Sequence, residues 1–214
     1  MVKGVAGSGK TTVAVHRVSF LLHNYCFTPQ DKILMVTFNK SLTYYIEYIY
    51  GQIDEEEQYH LFDAGDKNKQ VKITNIDKLL YHFFLMYGKE NKKKLTYARA
   101  EQESAILKDC ICTLKKKFSD VNILNIRFLG FLKKEIAWIK ACNYTELQVY
   151  QTADRLGRTG AKGVEGPQKL MKNSPTRQAI YELMVMYTRA LYVQGLCDFQ
   201  DAALYALRYL KTHR

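Results

Sequence analysis

The residues with the clearest potential for chemistry stand at the start of the chain, where four residues separate Gly4 from the run Gly9-Lys10-Thr11. This spacing matches the phosphate-binding loop pattern G-x-x-x-x-G-K-[ST]. Glycines allow backbone N–H groups to approach a polyphosphate closely, and the following helix adds the positive end of its dipole. Lys10 can reach the β- and γ-phosphates, and the Thr11 hydroxyl can hold a magnesium ion. The pattern therefore predicts a site for ATP and Mg²⁺, with Lys10 and Thr11 as its catalytic residues.

A phosphate-binding loop lies between a strand and a helix, yet only residues 1–3 precede Gly4. Three residues form a very short strand. We therefore expect the chain to be a piece of a longer protein, cut close to its first structural element. The residues expected to hold the nucleotide are Gly4, Ala6, Gly7, Ser8, Gly9, Lys10, Thr11 and Thr12, of which Thr11 is the expected magnesium ligand.

The overall charge of the chain is strongly positive. It has 32 lysines and arginines against 21 acidic residues, a formal net charge of +11. Such an excess favours a polyanionic partner, and the abundant tyrosines and phenylalanines could stack on unpaired bases. The plainer alternative is that the lysine runs are solvated surface and the tyrosines half-buried core.

The apolar and cysteine patterns exclude several classes of protein. No apolar run approaches the roughly 18 residues that span a bilayer, so no membrane-spanning segment is expected. Of the two polyanionic partners that the charge allows, nucleic acid and an acidic membrane face, nucleic acid is the expected one. The five cysteines are scattered, without a C-x-x-C pair and without histidines clustered beside them. That distribution fits reduced thiols in a cytoplasmic protein better than disulfides or a zinc site.

Hydrophobic periodicity predicts an α/β organisation for the first part of the chain, residues 1–88. The continuous apolar run at 33–37 fits a buried parallel strand, and the alternation at 71–74 fits a second strand. Helices are expected over 13–22, 41–50 and 76–87. Strands that alternate with helices predict a parallel sheet.

The strand signal disappears after about residue 88. Helical spacing instead covers 101–118, 126–140, 144–156 and 176–193. A loop rich in glycine and polar residues is expected over 157–174, before a helix that begins near Pro175. Residues 89–197 are therefore predicted to form a mainly α-helical subdomain inserted into an α/β core made of 1–88, with 198–214 as a last helix that returns to the core.

Two runs near the start, GVAGSGKTT at 4–12 and ILMVTFNKSL at 33–42, resemble UvrD/Rep-like superfamily 1 DNA helicases. The resemblance implies a RecA-like P-loop fold. In that family a Thr-Phe-x-Asn-Lys element, one residue longer than its match here, contacts the backbone of single-stranded DNA. A further family element resembles residues 75–79, with Asp77 where the family has histidine. The residues that match the DNA-contacting element are Thr37, Phe38, Asn39 and Lys40.

The helical block resembles the same family in two further segments, a W-I-K … Y … R-x-G-R segment and a D-F-x-D element. The matching residues are 135–140, Tyr150, 155–158 and 195–201. Arg155 and Arg158 either bind nucleic-acid phosphates, as guanidinium groups do well, or pin the neighbouring loop to the helical block. The sequence leaves both alternatives open.

The resemblance implies the ATP-binding N-terminal part of a motor that couples ATP hydrolysis to movement along single-stranded DNA, or along RNA. The family's Asp-Glu motif, which orients magnesium and the attacking water, lies beyond the D-F-x-D element. We therefore expect the chain to lack this motif, not to hydrolyse ATP alone, and to need the remaining motor segments as partners. Two other classes stay open: a P-loop kinase or transferase with a non-nucleic-acid substrate, and a non-enzymatic nucleic-acid or protein interaction module.

Overall fold

The computed structural model describes residues 3–5, 7–28, 30–53, 70–155 and 170–213 of the chain. The chain divides into two compact units, Met1–Leu80 and Tyr81–Arg214. Both contain helices and a short parallel sheet, so the predicted α/β class is confirmed. Among the residues described, no helix has the length and apolar character needed to cross a membrane.

The first unit combines helices with a two-stranded parallel sheet. Its elements are α1 (Lys10–Tyr25), β1 (Ile33–Thr37), α2 (Lys40–Ile53) and β2 (Val71–Asn75), and α3 (Ile76–Glu90) begins in it. The strands pair in register, from Ile33 opposite Val71 to Thr37 opposite Asn75. Because the pairing is parallel, the carboxyl ends of both strands lie at the same edge of the sheet. The strands and helices predicted for this region are confirmed.

A small apolar core joins the elements of the first unit. Its members repeat every three or four residues along the helices, which places them on one helix face. They are Val15, Val18, Ile46, Tyr50, Val71 and Ile73. β1 is less buried than its continuous apolar run predicts, because alternate side chains of a strand point to opposite faces. Leu34 and Val36 are 51% and 41% exposed, so one face of β1 is open among the described residues.

The second unit is mainly helical, and it contains the helices predicted within 89–197. Its elements are β3 (Thr96–Tyr97), α4 (Ala100–Lys115), a 3₁₀ turn (Ile126–Phe128), α5 (Leu129–Ala141), α6 (Leu147–Thr152), α7 (Pro175–Val193), β4 (Leu196–Cys197) and α8 (Phe199–Thr212). Aliphatic side chains at helical spacing on α4, α5 and α7 form its core. The most deeply buried include Leu107, Ile111, Leu132, Ile136, Ile139, Ile180, Leu183 and Leu191.

The second unit differs from the sequence expectation in two details. The region predicted without strands contains the parallel pair β3–β4, whose two-residue strands are too short to show a period. The helix expected over 144–156 is shortened to α6, because main-chain carbonyls at its end bind the Arg177 guanidinium instead. The start of α7 at Pro175 is as predicted, and Ser174 Oγ accepts the Arg177 N–H there at 3.3 Å.

The last helix, α8, lies in the second unit. Asp198 caps it, since its Oδ1 accepts the Asp201 N–H at 2.8 Å. Further along the helix, the Tyr205 ring stacks on Tyr87 of α3 with 4.8 Å between ring centroids. The assignment of this helix to the α/β core stays a prediction.

One lysine neutralises two carboxylates in the interior of the second unit. Lys140 Nζ donates to Asp198 Oδ2 at 2.6 Å and to Asp201 Oδ2 at 2.8 Å. All three side chains are at least nine-tenths buried. Burial raises the pKa of Asp201 to about 6, and the Lys140 ammonium limits that rise. Because one positive charge faces two negative ones, this Lys140 cluster depends on the lysine more than on either carboxylate.

Replacing Lys140 with Met should lower the free energy of unfolding by about 3–5 kcal/mol near pH 8, because two buried carboxylates lose their cation. The loss should be smaller near pH 5. There Asp201, whose pKa is already raised, is largely protonated and carries little charge. Urea denaturation at the two pH values measures both effects.

Asp201→Asn is the matched control, because it leaves one lysine facing one carboxylate. The pKa of Asp201 rises from 3.8 to about 6 on folding. Its proton therefore stabilises the fold fully below pH 3.8, and this contribution is lost as the pH rises through about 6. The Asn variant should lack that fall in stability. An equal stability loss for Lys140→Met at both pH values would contradict this description of the cluster.

Candidate functional site

The glycine-rich loop leads directly into α1. Gly7 and Gly9 have φ angles of 78° and 74°, in the left-handed region that residues with a Cβ rarely adopt. A Cβ atom at Gly4 would lie 2.5 Å from Ser8 Oγ, so a larger residue there would require the Ser8 side chain to move. The turn that the loop makes therefore favours glycine at positions 7 and 9, of which Gly9 belongs to the phosphate-binding pattern.

The ammonium of Lys10, the first residue of α1, is held over the loop. Its Nζ donates to the Gly4 carbonyl at 2.9 Å, to the Val5 carbonyl, and to Ser8 Oγ at 3.2 Å. These acceptors are neutral, whereas phosphate oxygens carry full negative charge and bind an ammonium more strongly. A polyphosphate in the loop would therefore compete well for this ammonium.

The start of α1 also supplies hydroxyl groups. Thr11 is half-buried and Thr12 is exposed, while Ala6 lies outside the described residues. In the part of the chain that the structure describes, no group of three or more His, Cys, Asp or Glu side chains could hold a metal ion. A magnesium ion here would take most of its ligands from phosphates and water, as Mg²⁺ usually does beside a nucleotide. The Thr11 hydroxyl, next to Lys10, could supply one protein ligand to such an ion.

Two of the four residues that match the DNA-contacting element, Thr37 and Asn39, build the turn between β1 and α2. Thr37 is buried, and its hydroxyl lies 2.7 Å from Thr43 Oγ1 of α2. Asn39 Oδ1 accepts the Leu42 N–H at 2.7 Å and caps α2. These two side chains fix the start of α2 rather than reach into solvent.

The other two residues of this turn face solvent. The Phe38 side chain is 89% exposed, and Lys40 is exposed at the first position of α2. An exposed ring can stack on a base, and a nearby ammonium can bind a phosphate. Within residues 37–40, we therefore expect Phe38 and Lys40 to be the side chains that bind a ligand.

A second helix cap at the same sheet edge escaped the sequence analysis. Asn75 ends β2 directly opposite Thr37, and its Oδ1 accepts the Lys78 N–H at 2.7 Å. Both α2 and α3 thus begin at this edge, each behind an asparagine cap and with the positive end of its dipole there. An asparagine just before an apolar periodic segment is a known start signal, so the sequence contained the information.

Comparison with known proteins shows the family of the chain. The family model of the UvrD/REP helicase N-terminal domain matches residues 1–214. The chain belongs to the UvrD/Rep helicase family. It is also 27% identical over 212 residues to the ATP-dependent DNA helicase Rep of Buchnera aphidicola subsp. Acyrthosiphon pisum (strain APS), an alignment that covers 98% of this chain and 27% of that protein. The predicted resemblance is confirmed, and the family implies a RecA-like fold, of which β1 and β2 form a part.

The arginine of the UvrD/Rep-like R-x-G-R segment is buried. Arg155 Nε and Nη2 donate to the two carboxylate oxygens of Glu135 at 2.8 and 2.7 Å, and the Tyr150 hydroxyl donates to the same carboxylate at 3.0 Å. Burial raises the pKa of the Tyr150 hydroxyl. A guanidinium held in this way favours the alternative in which Arg155 pins the chain to the helical block. Arg158 lies outside the described residues.

A second buried arginine, Arg177 of α7, was not singled out from the sequence. Its guanidinium donates to the main-chain carbonyls of Tyr150 at 2.6 Å, Ala153 at 2.8 Å and Leu170 at 3.1 Å. It thereby fixes the chain on both sides of residues 156–169. An arginine on the apolar face of a helix gives no local signal of such a role, because its acceptors are distant in sequence.

Arg155→Ala should lower the free energy of unfolding by about 3–5 kcal/mol, because Glu135 is then buried without its cation. Arg155→Lys keeps the charge but loses the bidentate hydrogen bonding to Glu135. Its free energy of unfolding should therefore lie between those of the wild type and Arg155→Ala. Chemical denaturation of the wild type and the two variants measures the order of their stabilities. If Arg155→Ala were as stable as the wild type yet bound single-stranded oligonucleotide less tightly, Arg155 would instead be a phosphate contact.

Proposed function

We propose that this chain is the ATP-binding N-terminal part of a motor that uses ATP to move along single-stranded DNA. The observation that carries the proposal is the left-handed loop at Gly7 and Gly9 with the Lys10 ammonium held over it, in a chain of the UvrD/Rep family. The chain spans 27% of the length of the Rep helicase that it matches. The activity of the whole protein is therefore part of the proposal.

The loop binds and orients the nucleotide in this proposal. Lys10 neutralises charge on the β- and γ-phosphates, and Thr11 gives its hydroxyl to Mg²⁺. ATP supplies the phosphoryl-transfer chemistry when bound. The start of α1 adds the positive end of its dipole beneath the phosphates. The remaining residues proposed to surround the nucleotide are Gly4, Ala6, Gly7, Ser8, Gly9 and Thr12.

The single strand binds at the carboxyl edge of β1 and β2. Phe38 stacks on a base and Lys40 binds a phosphate, while Thr37 and Asn39 hold the turn in place. The two helix starts at this edge add positive potential. Backbone contacts of this kind do not distinguish DNA from RNA. The relative that the chain matches is named as a DNA helicase, and this favours DNA.

Packing between α1 and α2 links the two sites within the first unit. Val15 and Val18 of α1 share a core with Ile46 and Tyr50 of α2. Closely packed cores transmit displacement, so a shift of α1 on nucleotide binding should reach the start of α2. We propose that this packing is the route by which nucleotide binding changes the affinity for the single strand.

The domain arrangement of the full motor follows the family. We propose that 1–88 and 198–214 form its RecA-like core and that 89–197 form a helical subdomain inserted into it. The remaining motor segments of the full-length protein would complete the hydrolytic site.

Lys10→Ala should weaken Mg-ADP binding about tenfold or more, because it removes a charge-assisted contact worth roughly 1.5–3 kcal/mol. Calorimetric titration of wild type and variant measures the difference. Lys3→Ala is the matched control, since it removes the same charge from an exposed lysine just before the loop. Equal affinity of Lys10→Ala and wild type would rule out the phosphate assignment.

Lys40→Ala and Phe38→Ala should weaken single-strand binding in different ways. Loss of Lys40 should make the slope of log affinity against log salt concentration shallower by roughly 0.7. This is the contribution of one phosphate contact on a single strand. Loss of the Phe38 ring should weaken binding roughly tenfold at every salt concentration and leave that slope unchanged, because stacking involves no counterions. Titration of a fluorescent oligothymidylate at several salt concentrations separates the two.

The control for the ring is Phe27→Ala, since Phe27 is 79% exposed and lies outside the proposed strand site. Identical binding curves for the Phe38 and Phe27 variants would show that Phe38 does not stack on the strand. A drop in the melting temperature of Phe38→Ala alone would show a packing role instead.

A further inference from the structure

A cleft of about 380 Å³ lies in the second unit, among α3, α5, α7 and α8. Its volume falls within the range of roughly 300–1,000 Å³ typical of small-molecule sites. Tyrosines dominate its wall, and two arginines join them. These residues are Tyr87, Tyr144, Tyr181, Tyr192, Tyr205, Arg189 and Arg208.

Ring stacking makes part of this wall rigid. Tyr87 and Tyr205 stack almost in parallel, with 4.8 Å between centroids and 7° between planes. The Tyr192 ring lies 6.0 Å from Tyr205. Burial raises the pKa of the Tyr205 hydroxyl, so the ring stays neutral. Tyr205 itself is buried, and the Lys93 ammonium lies 3.5 Å from the Tyr192 ring centroid. The half-buried rings of Tyr87, Tyr144 and Tyr181 therefore offer the aromatic surface that a flat ligand can reach.

The uncompensated charge of the cleft is positive. Arg189 and Arg208 are exposed, and neither forms an ion pair with any residue that the structure describes. The Arg208 guanidinium lies 5.6 Å from the Tyr205 ring centroid. The cleft's other charged residues, Lys140 and Asp201, are buried and bind each other at 2.8 Å. A ligand that fits must be flat, partly apolar and anionic.

We infer that this cleft binds a nucleotide unit of a single strand, with the base against the tyrosines and the backbone phosphates at Arg189 and Arg208. Stacking on aromatic rings and cationic contacts to phosphate are the two interactions by which proteins hold unpaired strands. The choice of a strand over a free nucleotide rests on the proposed function. The cleft would then be a second contact for the strand, in addition to the one at Phe38 and Lys40.

Removal of both arginines tests the charge contribution. The variant Arg189→Ala/Arg208→Ala should bind oligothymidylate about tenfold more weakly at low salt, with a salt slope shallower by roughly 0.7–1.4. The matched control is Arg127→Ala/Lys116→Ala. It removes two exposed charges of the same unit, and Arg127 lies over its neighbour Phe128 at 4.6 Å much as Arg208 lies over Tyr205. The control should lose clearly less affinity.

Photocrosslinking tests the position of the base. An oligonucleotide that carries 5-iodouracil forms adducts with aromatic side chains in stacking range, and mass spectrometry locates them. We expect an adduct on at least one of Tyr87, Tyr144, Tyr181 and Tyr192, and its loss in the double arginine variant. Adducts confined to the first unit, together with wild-type affinity of the double arginine variant, would overturn the inference and leave the proposed function intact.

Two further outcomes bear on the proposed function and on the identity of the ligand in the cleft. If the wild type binds no oligonucleotide at all, the proposed function fails together with the inference. A third measurement uses thymidine monophosphate with Lys10→Ala, in which the phosphate-binding loop is impaired. If that nucleotide binds, and binding requires Arg189 and Arg208 while oligonucleotide binding does not, the cleft holds a free nucleotide and the strand assignment is wrong.

Discussion

The parallel pairing of β1 with β2 is the constraint on which the proposed strand site depends. It places Thr37 opposite Asn75 at one sheet edge, and each strand passes into a helix there. Asparagine side chains close both turns, at Asn39 and Asn75. A slip in register would separate the two helix starts, so the positions of the exposed side chains at this edge depend on the five residue pairs of the sheet.

In the second unit, the charged side chains that the structure describes in the two segments resembling the helicase family are buried. Glu135 holds Arg155, and Lys140 holds two aspartates of the segment that begins α8. Such buried pairs gain little stability over apolar packing, but breaking one is costly. They tie α5 to segments distant in sequence and fix which helix faces meet. Arg189 and Arg208 lie at the surface of this unit and form no ion pair with any residue that the structure describes.

Much of the first unit could be predicted, because its signals are local. The glycine spacing of the loop, the continuous apolar run of β1 and the helical period of α2 can all be recognised without a distant partner. Apart from the local Asn75 cap, what escaped prediction depends on long-range partners. The burial of Arg155 is decided by a carboxylate 20 residues away, and the two-residue strand β3 pairs with a segment about 100 residues further on. The tyrosine cleft draws on four elements, so no single stretch of sequence reveals it.

Amide hydrogen–deuterium exchange tests the central claim most directly, because it reports on both proposed sites in one unmodified protein. Exchange slows where a ligand suppresses local opening. Mg-ADP should slow exchange in residues 7–12, and an oligothymidylate should slow exchange in 38–42 and 76–79. Unchanged exchange in these segments at saturating Mg-ADP and oligonucleotide, or protection confined to other parts of the chain, would contradict the account.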